Sequence, residues 1–273
     1  MKYLASVLLF VFFHFSGFAQ ELFPMTEPAS NMATDALGLR LGTNNYQSNN
    51  FKIKSQLKSE VMYGINARWM IHFNGYFSDF YSKAILFQGV GTYFKYRFLS
   101  MDSEHRHTRM AAFGRITYNP TKNYTTDLNI EGAQSGAAVG LVITQLLHKL
   151  ALSVTLNETK AFSSTGINPE NSFNYNLSAG YLIYPKKYTN YKQTNCNLYV
   201  EAMGKSITSN PENNFAAGAS LDIVPSIQFI FNSQTRLDIS YKRSIYNTIV
   251  YNAHQSIMVK VEHNIFNAFR NRK

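Results

Sequence analysis

The stretch Gly136–Asn157 (GAAVGLVITQLLHKLALSVTLN) constrains the fold more than any other part of the chain. It is long enough to cross a bilayer once as a helix, which needs about 20 apolar residues. Its centre opposes that reading, because it holds Gln145, His148 and Lys149, and one lysine there costs about 2.5–3.5 kcal/mol on insertion scales. Read with a period of two, the stretch separates into an apolar face and a face of small or polar residues. It therefore predicts two strands joined by a tight turn, the repeating unit of a transmembrane β-barrel.

The same period recurs along the chain and predicts ten further strands. They lie at Asp35–Thr43, Leu57–Asn66, Trp69–Phe77, Gln88–Phe98, Thr108–Tyr118, Ser172–Tyr184, Thr194–Lys205, Ser220–Phe231, Thr235–Lys242 and Ser256–Phe266. An even strand number and alternating short and long connections are typical of single-chain outer-membrane barrels. We therefore predict an all-β fold, a transmembrane antiparallel up-and-down β-barrel of twelve strands with both termini periplasmic.

The N-terminus predicts export. Met1–Ala19 has a basic Lys2, an apolar run and small residues at Gly17 and Ala19, which is the pattern of a cleaved secretory signal peptide. The predicted organisation is a signal peptide at 1–19, a periplasmic N-terminal arm at 20–34, the barrel at 35–266 and a C-terminal tail at 267–273.

Composition supports a barrel over a secreted soluble β-protein, the main alternative. Aromatic residues make up 15% of the chain, yet the mean hydropathy is only −0.21. Strands that alternate between lipid and lumen produce this pairing of many aromatics with modest hydropathy. We therefore expect the protein in the outer membrane of a Gram-negative bacterium.

The predicted inward faces are rich in charge. Ten cations are expected there: Arg40, Lys58, Lys95, Arg97, Arg109, Arg115, Lys205, Arg236, Lys242 and Lys260. Five carboxylates are expected with them: Glu60, Glu201, Asp222, Asp238 and Glu262. Charged lumen linings tune selectivity, so this set predicts a narrow channel that favours polar or anionic solutes. An interior plugged by paired charges is an equal alternative, because a twelve-stranded barrel is narrow.

Two sequence patterns suggest other functions, a metal site and an acyl hydrolase. His105 and His107 alternate on a connection that the sequence predicts to be extended, where they could bind copper or zinc, although a solvated turn is the simpler interpretation. His254-Gln255-Ser256 is a His-x-Ser triplet of the kind found in outer-membrane acyl hydrolases. Alternation turns His254 and Ser256 toward the lumen, away from acyl chains, and a triad needs hydrogen-bond reach. We therefore predict no enzyme activity and no cofactor.

The segment Phe23–Arg40 (FPMTEPASNMATDALGLR) carries a family resemblance. Glu27–Met32 supplies a Glu-Pro-Ala-Ser-Asn-Met motif, and Leu37–Arg40 supplies a first strand of Leu-Gly-Leu-Arg type. In both, the chain resembles an uncharacterised family of Gram-negative outer-membrane barrels, similar to transporters of the phenol-degradation-pathway (MetA-pathway) type. The resemblance implies the fold and the location, and it names no substrate. The sequence departs from the common barrel ending, because Phe266 is followed by further residues.

These observations predict a passive channel or transporter for small polar or anionic solutes. The alternative is a non-conducting structural or partner-binding barrel that uses its loops Asn119–Ser135 and Asn157–Asn171; a lipid-acting enzyme comes third. An open lumen would favour the channel, and an occluded, ion-paired lumen the alternative. Expected partners are outer-membrane lipid, lipopolysaccharide, the barrel-assembly machinery and a small-molecule solute. Nucleic acid is not expected, since the cations form no run or helical stripe.

Overall fold

The computed structural model describes residues 23–48, 53–80, 82–120, 127–162, 170–187, 192–208, 217–249 and 253–269. The predicted signal peptide lies outside the described residues, as do residues 20–22 of the arm and 270–273 of the tail. Within the described ranges, no helix is both long enough and apolar enough to cross a membrane.

Twelve antiparallel strands follow one another around a closed barrel, and β1 pairs with β12 to close it. The strands are β1 Leu37–Ser48, β2 Ile53–Gly64, β3 Trp69–Ser78, β4 Leu86–Ser103, β5 Arg106–Tyr118, β6 Gly136–Leu147, β7 Leu150–Ala161, β8 Asn171–Tyr184, β9 Asn195–Thr208, β10 Gly218–Phe231, β11 Thr235–Asn247 and β12 Ala253–Ile265. Closure pairs the backbone groups that an open sheet would leave unsatisfied in lipid. The predicted twelve-stranded up-and-down barrel is confirmed.

Several strands run further than predicted toward the long connections. β1 continues to Ser48 and β2 starts at Ile53, both beyond the predicted bounds. In this part Asn45 pairs with Ser55, and polar residues occupy both faces, so the alternation that marks a strand in the sequence is lost. Antiparallel backbone pairing does not depend on that alternation, so the ladder continues.

The barrel wall has an apolar outer face and a polar inner face. Leu41 and Phe73 point outward and are 51% and 55% exposed, whereas Arg40 and Glu60 point inward and are only 6% exposed. An apolar exterior of this kind matches the lipid-facing band of a transmembrane barrel. At the end with the short turns, Trp69 stacks near Tyr96 with ring centroids 4.5 Å apart, as expected for an aromatic girdle.

The segment that precedes β1 fills part of the barrel interior. Phe23 is 1% exposed and packs edge-on against Tyr199 with ring centroids 5.6 Å apart, beside Ala151. Ala29 is completely buried. The prediction of a periplasmic arm at 20–34 is therefore corrected for its described part, residues 23–34, which we call the arm and which lies inside the wall. The physical reason is packing, because small inward side chains leave space that apolar arm residues fill.

Candidate functional site

Arg40 is the centre of a buried ion-pair network on the inner wall. Strand register places it directly opposite Glu60 of β2 on one side and Glu262 of β12 on the other. Its Nε donates to Glu262 Oε2 at 2.8 Å, and its Nη1 lies 3.5 Å from Glu60 Oε1. The arm adds a third carboxylate, because the same Nη1 donates to Glu27 Oε1 at 2.7 Å. These partners compensate a guanidinium that would otherwise be buried at high cost.

The network continues onto β11 and β12, where strand register again places opposite charges next to each other. Arg236 Nη2 donates to Glu262 Oε2 at 2.8 Å, and its Nε lies 3.3 Å from Asp238 Oδ2. Lys260, opposite Asp238 in the register, lies 3.2 Å from the same oxygen. We call this set the charge belt; it comprises Glu27, Arg40, Glu60, Arg236, Asp238, Lys260 and Glu262. It joins four adjacent strands and the arm.

Glu201 of β9 holds the arm from one side of the lumen. Its carboxylate accepts hydrogen bonds from the backbone N–H of Met25 at 2.7 Å and of Thr26 at 3.1 Å. The Thr26 hydroxyl donates to it at 2.7 Å, and the Ser178 hydroxyl donates at 3.0 Å. Since Glu201 is completely buried, its role in this structure is to anchor the arm.

Lys95 of β4 holds the arm from the opposite wall. Its Nζ donates to the carbonyl oxygens of Pro28 at 2.8 Å and Ser30 at 2.7 Å, and the residue is completely buried. Arg109 Nη1 donates to the Ser30 hydroxyl at 2.8 Å. The Ala29 N–H donates to the hydroxyl of Thr144 at 2.9 Å. The arm is thus bound through backbone groups and through side chains such as Ser30 by residues of separate strands.

A second insert enters the lumen from the connection between β5 and β6. We call residues 127–135 the inserted loop. Its Glu131 forms an ion pair with Arg115 and lies 3.4 Å from Lys58 Nζ. Asp127 lies 2.6 Å from Lys205 Nζ, which also donates to the Leu128 carbonyl at 3.0 Å. The expectation that Asn119–Ser135 is an outer loop for a partner is therefore corrected for its described part from 127 onward, which folds into the barrel.

The inserts change the charge of the interior. The predicted ten cations and five carboxylates belong to the wall, and the structure brings Glu27, Asp127 and Glu131 among them from the arm and the inserted loop. At the rim near the β4–β5 turn, the half-exposed Asp102 lies 3.3 Å from Arg109. Sequence reasoning missed Glu27, Asp127 and Glu131, because none of them lies in a strand region with clear alternation.

The remaining predicted lumen residues also lie on the inner side of the wall. Lys242 of β11 forms an ion pair with Asp222 of β10 at 3.2 Å. Arg97 of β4 is half-buried near the short-turn end, and within the described ranges it makes no ion pair. The structure therefore brings most of the predicted site residues into one charged interior.

The two histidines proposed for metal binding do not share a face. His105 lies in the turn between β4 and β5, where its ring is 5.2 Å from that of His148. His107 lies on β5 and its Nδ1 is 2.8 Å from Asp102 Oδ1. The expectation of an extended segment here was wrong, because the chain reverses at this turn. Among the residues that the structure describes, no three possible ligands are grouped to hold a metal.

Of the His-x-Ser triplet, only Ser256 is placed on the inner wall as predicted; His254 is exposed and lies at a register shift of the β1–β12 ladder. Ser256 of β12 is 3% exposed and belongs to the inner wall, paired with Tyr46 of β1 and Lys242 of β11. Its hydroxyl therefore faces away from the lipid side of the barrel.

Comparison with known proteins identifies the fold. No family model matches the sequence, and no curated protein matches it. An outer-membrane channel from Pseudomonas putida F1 is similar in structure, with a TM-score of 0.59 and 11% identity over 90% of this chain and 100% of that one. The NanC porin has a TM-score of 0.51 and 9% identity over 83% of this chain and 97% of that one. The chain therefore has the barrel fold that these outer-membrane proteins share.

Proposed function

We propose that this protein is a channel in the outer membrane of a Gram-negative bacterium, that it passes small polar or anionic solutes, and that it is not an enzyme. The observation that carries the proposal is the closed barrel with an apolar exterior and a charged interior, which separates a polar path from lipid. The two similar structures, one described as a channel and one as a porin, support this class. Lipid, lipopolysaccharide and the barrel-assembly machinery are the partners that such a location implies.

The arm and the inserted loop close the path at rest. Neither belongs to the β-ladder, since the twelve strand pairings form one closed ring without them. The arm is held by side chains such as Lys95 and Glu201, so its release would leave every strand pairing intact. Segments with few ladder hydrogen bonds open at lower free energy than core strands. The charge belt would then face water, where ions need less compensation.

A non-conducting barrel is the second candidate, and a specific observation favours it. The interior is crossed by buried ion pairs, and both inserts occupy it. In that case the charge belt acts as a polar core and the arm stays in place.

Planar-bilayer conductance separates the two candidates. We expect small, infrequent openings for the wild type and a severalfold larger conductance, with chloride preferred over potassium, after deletion of residues 23–31. Lys95→Met tests the same point without a deletion, because it removes two hydrogen bonds to arm carbonyls. Lys149→Met is the matched control, since Lys149 also binds two backbone carbonyls but in the connection after β8. If folded barrels of all these forms pass no ions, or prefer cations, the channel proposal fails.

A further inference from the structure

A polar recess lies on the inner wall of β2 to β5, beside the inserted loop. We call it the Arg115 recess and define it by Lys58, Asn74, Tyr76, Tyr93 and Arg115. Register sets Lys58 opposite Tyr76 and Tyr93 opposite Arg115. The Lys58 ammonium lies 6.0 Å from the Tyr76 ring centroid, and the Arg115 guanidinium lies 5.4 Å from that of Tyr93. Two cations therefore lie over two aromatic rings in one patch of wall.

The recess also presents polar atoms that no described part of the chain satisfies. Tyr76 and Tyr93 are 1% and 2% exposed, and Asn74 is 4% exposed. Among the residues that the structure describes, the two phenol oxygens and both amide atoms of Asn74 have no hydrogen-bond partner. The Tyr76 hydroxyl lies beside Gly91, the residue paired with Asn74, so the Tyr76 hydroxyl and Asn74 are neighbours on the wall. Buried polar groups are nearly always hydrogen-bonded, so water or a polar solute is needed to satisfy these atoms.

Glu131 occupies the cationic end of this recess. Its carboxylate pairs with Arg115 and lies 3.4 Å from Lys58 Nζ. Arg115 Nε has no hydrogen-bond partner in the described ranges, so part of the guanidinium is still available for a two-point contact. The side chains of Glu131 and Arg115 are 35% and 19% exposed, so they are less buried than Asn74, Tyr76 and Tyr93.

We propose that the Glu131 carboxylate stands in for the carboxylate of a small hydroxylated organic acid, which binds in the Arg115 recess in its place. The acid's carboxylate pairs with Arg115 and Lys58, and its hydroxyls bond to Asn74 and the tyrosine hydroxyls. The inference names the solute class for the proposed channel and rests on that function for the solute's route. Binding itself does not require conduction.

Direct binding of gluconate to the purified, detergent-folded protein tests whether a hydroxylated acid binds in the Arg115 recess. Sorbitol is the matched probe, because it keeps the hydroxyls and lacks the carboxylate. If Glu131 occupies the site about 90% of the time, Glu131→Gln raises gluconate affinity about tenfold and leaves sorbitol unchanged. Asp127→Asn is the matched control, since it removes the ion pair of the inserted loop with Lys205 and leaves the recess intact. Arg115→Met in the Glu131→Gln background should abolish the gain.

The outcomes are distinct. Equal gains for Glu131→Gln and Asp127→Asn would show that the loop only blocks access, and the inference would fall. Equal binding of sorbitol and gluconate would also overturn it. A gluconate gain confined to Glu131→Gln, in a protein that never conducts in bilayers, would support the recess and refute the channel. Tyr76→Phe in the Glu131→Gln background provides a second check, and it should weaken gluconate binding with the loop unchanged.

Discussion

Arg40 shows how a single charge is kept inside this barrel. Alternation turns it inward, and register places a glutamate opposite it on each neighbouring strand. Its inward direction was predictable from the sequence, because direction depends only on parity. Its third carboxylate, Glu27, was not predictable, since that residue comes from an aperiodic segment whose path through the lumen no local pattern records.

Replacing Arg40 should destabilise the barrel strongly. Arg40→Met leaves three carboxylates close together in a buried site, and breaking a buried ion pair on one side costs about 3–5 kcal/mol. Urea unfolding in lipid vesicles, followed by fluorescence of Trp69, measures the change. Arg243→Met is the control, since Arg243 is exposed on β11, and its effect should stay within about 0.5 kcal/mol. Equal midpoints for the two variants would contradict a stabilising network.

At the scale of elements, the strands and the inserts differ in how far the sequence predicts them. Each strand repeats a two-residue pattern that neighbouring strands share, so all twelve and their faces were predictable. The arm and the inserted loop have no such period, and their partners lie far away in sequence, as with Met25 and Glu201. The inward face of Gly136–Asn157 consists of small or polar residues, which leave room in the lumen, and the arm takes part of that room where the Ala29 N–H bonds to Thr144. The two-residue alternation does not show which segment of the chain fills that room.

Substitution of one apolar residue should release the start of the arm from the lumen. Phe23 is its buried aromatic contact with Tyr199 and Ala151, so Phe23→Ala removes the packing that seats the start of the arm. We expect proteinase K, with the products identified by mass spectrometry, to cut within residues 24–31 in this variant and not in the wild type, while the unfolding midpoint of the barrel stays the same.

Phe269→Ala is the control for that experiment. Phe269 also lies on a segment outside the strands, but it is 69% exposed and touches Tyr63 with ring centroids 5.7 Å apart. Its loss should leave residues 24–31 protected from the protease. Cleavage of the wild type at the same rate would mean that the arm is not held in the lumen.

Across the whole molecule, charge is balanced by parts of the chain that lie far apart in sequence. By strand parity the wall is predicted to carry more cations than carboxylates, and Glu27, Asp127 and Glu131 reach it from the arm and the inserted loop. Strand parity therefore predicts the charge of the wall, which is basic. It does not predict the charge of the lumen once the arm and the inserted loop fill it. The basic lumen remains a property proposed for the open channel.

Removing those three carboxylates should shift ion selectivity toward anions. In the Lys95→Met background, the triple variant Glu27→Gln, Asp127→Asn and Glu131→Gln keeps side-chain size and removes three negative charges from the lumen. The remaining cations line the path, and charged linings set selectivity, so the reversal potential in a potassium chloride gradient should move toward that of chloride. Glu158→Gln is the control, because Glu158 is exposed on the outer face of β7 and its charge is screened over about 10 Å of salt solution. An unchanged reversal potential, or one that moves toward potassium, would show that ions do not pass the charged interior.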